Sequence, residues 1–156
     1  MAQGGPAVGS HRRPAPLRVA AVDRAPLRSR RDDIDPRRTG ERARSLGLCG
    51  FGGDSDGVRL ARRIERFADA ADGSFVWTRD PDGQYWLGRL DGPYFYDADG
   101  ADVDLTHVRP CRWRTAPVAE SVTPAAVVAT FGRGGRNFQK VHDDAVGEET
   151  TRLWAL

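Results

Sequence analysis

The sequence predicts an α+β fold: a small, curled antiparallel β-barrel of the SH3 or PUA type, with two or three short helices. Three observations predict it. Residues 75–113 hold eight of the thirteen aromatic residues, in short segments of alternating polarity that are typical of strands. Asp-Gly steps separate these segments, as in a barrel with tight turns. Segments with helical periodicity flank the aromatic region on both sides.

Residues 1–40 are predicted to form a disordered tail in front of the domain at residues 41–156. The tail is rich in Arg, Pro and Gly and has no hydrophobic period. Residues 1–48 carry 11 Arg and 5 acidic residues, whereas residues 49–156 carry 13 basic and 17 acidic residues. The predicted domain is therefore slightly acidic, which disfavours non-specific binding to phosphate backbones. A nucleic-acid tether is the alternative role for the basic tail.

A strand and a helix begin the domain. Residues 43–53 mix small apolar side chains with glycines, and Leu46, Leu48 and Phe51 predict a short strand that ends in a Gly-rich turn. The helix is predicted to begin at Ser55 or Asp56 as N-cap and to reach residue 68, because apolar residues recur at helical spacing. Four arginines lie among them, and we expect a solvated face, with phosphate contacts as the alternative.

Four strands make up the aromatic region. Residues 80–83, Asp-Pro-Asp-Gly, predict a hairpin turn between the first two strands, since Pro presets φ and Gly accepts a positive φ. Gly88, in the middle of the second strand, indicates a bulge or a close backbone approach. The four strands are predicted at residues 74–78, 84–90, 94–96 and 108–114.

A helix, a strand and a second helix complete the chain. Thr123 is the predicted N-cap of the first helix, with Pro124 at its first position, and the helix is expected to run through Phe131 to a Gly-rich stop. The last strand is predicted at residues 137–141, and an amphipathic terminal helix is predicted at residues 148–156.

Patterns of catalytic and metal-binding residues are incomplete in this sequence. The His and Cys spacing lacks the closed set of ligands that zinc needs, and the acidic run at residues 97–104 lacks the Glu that ends a calcium loop. The single lysine, Lys140, has no carboxylate at the spacing of a metal-dependent nuclease centre. We therefore expect no enzyme activity, no metal and no cofactor. Without a membrane-length apolar run or a signal peptide, a cytoplasmic protein with no membrane contact is predicted.

The aromatic surface is the candidate binding site. So many rings cannot all fit into the core of a small barrel, and some are predicted to line a pocket that stacks a base or holds a cation. Arginines on the same strands can form bidentate hydrogen bonds with a phosphate or a base edge. Ion pairs between these arginines and the many aspartates are an equally plausible interpretation. The candidate ligand-binding residues are Trp77, Trp86, Arg89, Tyr94, Tyr96, Arg109, Arg112 and Trp113.

Two strings in this region resemble a known module. They are YWLGRLDGPYFYD at residues 85–97 and HVRPCRW at residues 107–113. In order and spacing they are similar to a module found beside Mrr-type restriction endonuclease domains and in related prokaryotic defence proteins. The resemblance covers residues 43–156 and implies a non-enzymatic barrel that recognises DNA, with a modified base as one option. A separate nuclease or ATPase subunit would then supply cleavage, because this chain lacks the nuclease domain.

Two other classes of function stay open from the sequence. One is a protein-interaction module, or a truncated remnant with no nucleic-acid role, whose aromatic residues form the core and whose acidic surface meets a protein. The other is a small enzyme with an unrecognised site.

Overall fold

The computed structural model describes residues 19–21, 34–53, 57–133 and 138–156, with only the backbone described for the first of these ranges. Two short 3₁₀ helices lie at Ala98–Val103 and Glu120–Val122. The helices are α1 (Pro36–Leu46), α2 (Gly57–Asp69), α3 (Ala125–Gly132) and α4 (Val146–Trp154). The strands are β1 (Val19–Ala21), β2 (Leu48–Phe51), β3 (Phe75–Arg79), β4 (Tyr85–Leu90), β5 (Phe95–Tyr96), β6 (His107–Trp113) and β7 (Gln139–Lys140).

The strands form one sheet that curls into a half-barrel. Their order is β2-β6-β4-β3-β1-β7, and β5 pairs with β6. Among the strands that the structure describes, all pairings are antiparallel except that of β1 with β3, which is parallel. The predicted turn at residues 80–83 joins β3 to β4, and Gly83 has the positive φ of 82° that the turn needs. The predicted α+β fold with a small barrel-like sheet is confirmed.

The N-terminal part differs from the predicted tail at residues 1–40 in two places. Residues 19–21 form β1, and α1 begins before residue 40, where the Asp35 carboxylate caps it by accepting a first-turn backbone N–H. The sequence of α1 has no period of large apolar residues, and only Thr39 and Ala43 of this helix are buried. The rest of the predicted tail lies outside the described residues.

Helices cover both faces of the sheet. On one face, α3 and α4 pack over a core of large side chains, and on the other face α2 packs over a second core. A third, smaller core lies between α1, β2 and β6. Cys49 and Cys111 are free thiols in the second core, where burial raises the pKa of Cys111. The largest buried side chains include Trp77, Tyr85, Phe131 and Phe75 in the first core and Phe67, Leu90 and Val76 in the second.

The remaining predicted elements lie close to their expected positions. The predicted N-cap of α2 lies outside the described residues. At α3, Pro124 stands at the N-cap, and the hydroxyl of Thr123 instead donates to the carbonyl oxygen of Ala119 at 2.9 Å. Within the described ranges, every helix is too short or too polar to cross a bilayer.

Candidate ligand-binding cavity

A cavity of about 450 Å³ lies between α1 and the β3–β4 hairpin. This volume falls in the range of about 300–1,000 Å³ that is typical of small-molecule sites. Trp86 and Trp113 line the cavity from the sheet, Gly40 and Arg44 line it from α1, and the turn at residues 80–83 forms part of its wall.

The two cavity tryptophans lie on the same face of the sheet. Trp86 and Gly88 are two residues apart on β4, and Gly88 pairs with Trp113 on β6. A Cβ atom on Gly88 would lie 2.8 Å from Cε3 of Trp113, so the indole of Trp113 packs directly against Gly88. The close approach at Gly88 is therefore made by a side chain rather than by a second backbone. Indole N–H groups donate to the Leu48 carbonyl (2.8 Å, from Trp113) and to the Asp80 carboxylate (3.0 Å, from Trp86), which fixes both rings.

A guanidinium covers one of these indoles. Cζ of Arg44 lies 4.1 Å from the centre of the Trp86 ring, which is the geometry of a cation–π contact. Gly40, one helical turn earlier, leaves room for it, since a Cβ atom there would lie 3.0 Å from Nη1 of Arg44. Arg37 forms a second link from α1 and donates to both carboxylate oxygens of Asp82, at 2.5 and 2.6 Å. This hydrogen-bonded pair holds the pKa of Asp82 below its ordinary value.

Carboxylates also line the cavity. Glu41 is exposed on α1, and Asp80 begins the hairpin turn. Oδ1 of Asp80 accepts the backbone N–H groups of Asp82 at 3.0 Å and Gln84 at 2.9 Å, so the turn itself holds this carboxylate in place. The cavity thus combines two indole surfaces with charged groups of both signs, an arrangement that suits a flat ring. Among the described residues, no three His, Cys, Asp or Glu side chains form a group that could hold a metal ion.

Two predicted ligand-binding residues belong to the interior. Trp77 is fully buried on the opposite face of the sheet, and its indole N–H donates to Oγ1 of Thr150 at 3.2 Å. The guanidinium of Arg109 is buried as well and donates to three backbone carbonyl groups. The structure therefore assigns both side chains to the support of the fold, in contrast to the prediction that they bind a ligand.

Tyr94 and Tyr96 lie in a second aromatic group around His107, outside the cavity lining. The hydroxyl of Tyr94 and Nδ1 of His107 are hydrogen-bonded at 2.8 Å, and the two rings are nearly parallel, with their centres 6.1 Å apart. Tyr96 is exposed, with its ring centre 5.5 Å from that of His107. Burial lowers the pKa of His107 and raises that of Tyr94.

The other two predicted arginines also lie outside the cavity lining. Nε of Arg89 donates to the carbonyl oxygen of Gly73 at 2.9 Å, and its guanidinium lies over the ring of Phe75. Arg112 is exposed on β6, opposite Arg89 in the ladder. Of the eight predicted residues, the structure brings Trp86 and Trp113 together in one cavity.

Sequence reasoning missed the wall that α1 contributes. Gly40 and Arg44 are four residues apart, a spacing that places them on one helical face, but the helix itself had no apolar signal. A usable signal did exist for Trp77. The turn at residues 80–83 sets a register in which Thr78 pairs with Trp86, and paired residues point to the same face of the sheet. Trp77 is the neighbour of Thr78, so its side chain must lie on the face opposite to that of Trp86.

Comparison with known proteins adds the class of fold. No protein-family model and no curated protein matches the chain. Among solved structures, the chain shares the fold of YTH domains. The YTH domain of Pho92 in complex with m6A is 12% identical, with 92% of this chain and 86% of that chain covered and a TM-score of 0.55. The YTH domain of Zygosaccharomyces rouxii MRB1 in complex with N6-methyladenosine RNA is 14% identical, with 90% and 85% covered and a TM-score of 0.53.

Proposed function

We propose that this protein is a non-enzymatic nucleic-acid-binding module that takes a modified base into the cavity between α1 and the sheet. The observation that carries the proposal is the pair of half-buried indoles, Trp86 and Trp113, in one cavity large enough for a base. A base that leaves its stack needs aromatic surface to replace the lost stacking. The YTH domains of the same fold were solved with m6A or with N6-methyladenosine RNA, which supports a modified base as the ligand class.

The charge of the folded part of the chain supports recognition through the cavity rather than through the phosphate backbone. Residues 34–156, which include α1, carry 17 basic and 19 acidic residues and thus a net charge of −2, which opposes a broad phosphate-binding surface. Each phosphate contact to a single strand contributes about −0.7 to the slope of log K against log salt. We therefore expect a shallow slope, of about −1.4 to −2.1, that corresponds to two or three phosphate contacts.

The biological setting of the module is part of the same proposal. The sequence resemblance supports a restriction or defence system, with DNA as the nucleic acid and cleavage supplied by a separate nuclease or ATPase subunit. The YTH structures, in contrast, have N6-methyladenosine RNA as one of their ligands. Both DNA and RNA therefore belong in the test.

Fluorescence anisotropy with short single strands tests the proposal. The probes are DNA and RNA of one sequence, each with and without a single methylated base. We expect tighter binding of a methylated strand, and a loss of about 5- to 150-fold in Trp86→Ala, because stacking on one ring is worth about 1–3 kcal/mol. Trp154→Ala is the matched control, since this half-buried tryptophan packs on the other face of the sheet. Absence of binding at low salt by the folded protein, or an equal loss in both variants, would overturn the proposal.

A further inference from the structure

The cavity already holds a planar cation against one of its tryptophans. Cζ of Arg44 lies 4.1 Å from the centre of the Trp86 ring. A guanidinium is flat, its positive charge is delocalised, and it is weakly hydrated, so it stacks well on an aromatic face. The contact with Arg44 therefore indicates that the exposed face of the Trp86 ring accepts a flat cation.

The other arginines that line the cavity are directed to other partners. Arg37 is held by Asp82 through two hydrogen bonds at the rim. The guanidinium of Arg79 lies 5.7 Å from the ring centre of Phe131, which belongs to the core on the opposite face of the sheet. Among the described residues, Arg44 is thus the cation that faces the indole surface.

The charge balance of the cavity changes when Arg44 leaves Trp86. Glu41 and Asp80 line the same space and remain there, with Asp80 fixed by the hairpin turn. The emptied face is then an aromatic surface beside two carboxylates. Such a surface attracts a cation through both the ring quadrupole and the carboxylate charges.

We propose that the ligand of this cavity is a nucleobase made cationic by methylation at a ring nitrogen, and that it displaces the guanidinium of Arg44 from Trp86. This inference rests on the proposed function and narrows it. A ring-methylated base has the two features of the group it replaces, a flat shape and a delocalised positive charge. A neutral base also has to displace Arg44 but brings no charge to replace it, so it binds more weakly.

N1-methyladenine and N6-methyladenine provide a matched pair of probes. They are isomers with one methyl group each, and at neutral pH the first is a cation and the second is neutral. With single strands of RNA that differ only in this base, we expect the N1-methyl strand to bind about 5- to 30-fold more tightly, the range of one cation–π contact. Arg44→Ala should strengthen binding of both strands, since no internal group then competes for Trp86.

The carboxylates supply the second arm of the test. Glu41→Gln should reduce the preference for the N1-methyl strand over the N6-methyl strand, because one of the two carboxylate charges beside the indole surface is removed. Glu120→Gln, an exposed carboxylate outside the cavity, makes the same change in net charge and should leave the preference intact.

Each outcome separates the two proposals. Equal or tighter binding of the N6-methyl strand overturns the cationic ligand and leaves the proposed function standing. Weaker binding of the N1-methyl strand by Arg44→Ala shows that Arg44 contacts the ligand and overturns its displacement. If neither methylated base is bound, in RNA or in DNA strands of the same sequence, the proposed function itself is overturned.

Discussion

Replacement of Arg109 by methionine is expected to destabilise the domain by about 3 kcal/mol, because the arginine satisfies buried backbone groups. Its side chain is 2% exposed. The guanidinium donates to the carbonyl oxygens of Gly92 at 2.8 Å, Phe67 at 2.9 Å and Ala70. A further N–H donates to the largely exposed carboxylate of Asp72 at 2.8 Å.

The magnitude follows from these partners. Methionine is apolar and donates no hydrogen bond, so three carbonyl groups lose their partner in the variant. Phe67 lies in the last turn of α2, where carbonyl groups have no N–H donor within the helix. A buried acceptor without a partner costs about 1–3 kcal/mol, and three at the lower end give about 3 kcal/mol. An apolar replacement can be neutral when both partners of a pair are replaced, but backbone carbonyl groups cannot be removed.

Urea unfolding followed by circular dichroism measures this loss. A decrease of about 3 kcal/mol also corresponds to a melting temperature lower by about 6–12 °C. Arg112→Met is the control, because this arginine is exposed on the same strand and its replacement should change stability by less than about 0.5 kcal/mol. A loss below about 1 kcal/mol for Arg109→Met would refute the assignment of this guanidinium to backbone support.

Three further predictions concern other parts of the fold. Burial lowers the pKa of His107 below 6.5, so the unfolded chain binds the proton first and stability falls as pH drops below about 6.5. His107→Gln should flatten this part of the pH profile in urea titrations, and an unchanged profile would contradict the argument. Gly88→Ala places a Cβ atom 2.8 Å from the ring of Trp113 and should lower the free energy of unfolding by about 1–3 kcal/mol, measured by thermal melting. Gly132→Ala is the control and should have a far smaller effect, because the added Cβ atom meets open space. Arg114→Met removes N–H donors from the last carbonyl groups of the chain, so hydrogen exchange should quicken in the last turn of α4 and stay unchanged in β4.

The aromatic region could be predicted because its local signals agree with one another. Polarity alternates along β3 and β4, and the turn at residues 80–83 fixes how the two strands pair. The apolar face of α2 and the Gly-rich end of α3 mark helices in the same local way. Strands, turns and helices of this kind carry their signal within about ten residues of sequence.

The N-terminal strand and helix carry no such signal. β1 is three residues long, and its place in the sheet depends on parallel pairing with β3, far away in the sequence. α1 buries only Thr39 and Ala43, so its position depends on its N-cap and on contacts with residues that are distant in the sequence. For this reason Trp86 and Trp113 could be predicted from the sequence as ligand-binding candidates, whereas α1 on the opposite side of the cavity could not be predicted.

The two walls of the cavity are held by different forces. Trp86 shares β4 with the core residues Tyr85 and Leu87, and a slip of one residue in the register would turn all three to the wrong face. The sheet wall is thus as well fixed as the core. α1 reaches the hairpin through an exposed ion pair, which contributes little, and through the contact of Arg44 with Trp86. In the proposed mode of binding, a ligand on Trp86 replaces that contact, and its affinity is therefore expected to depend on the position of α1.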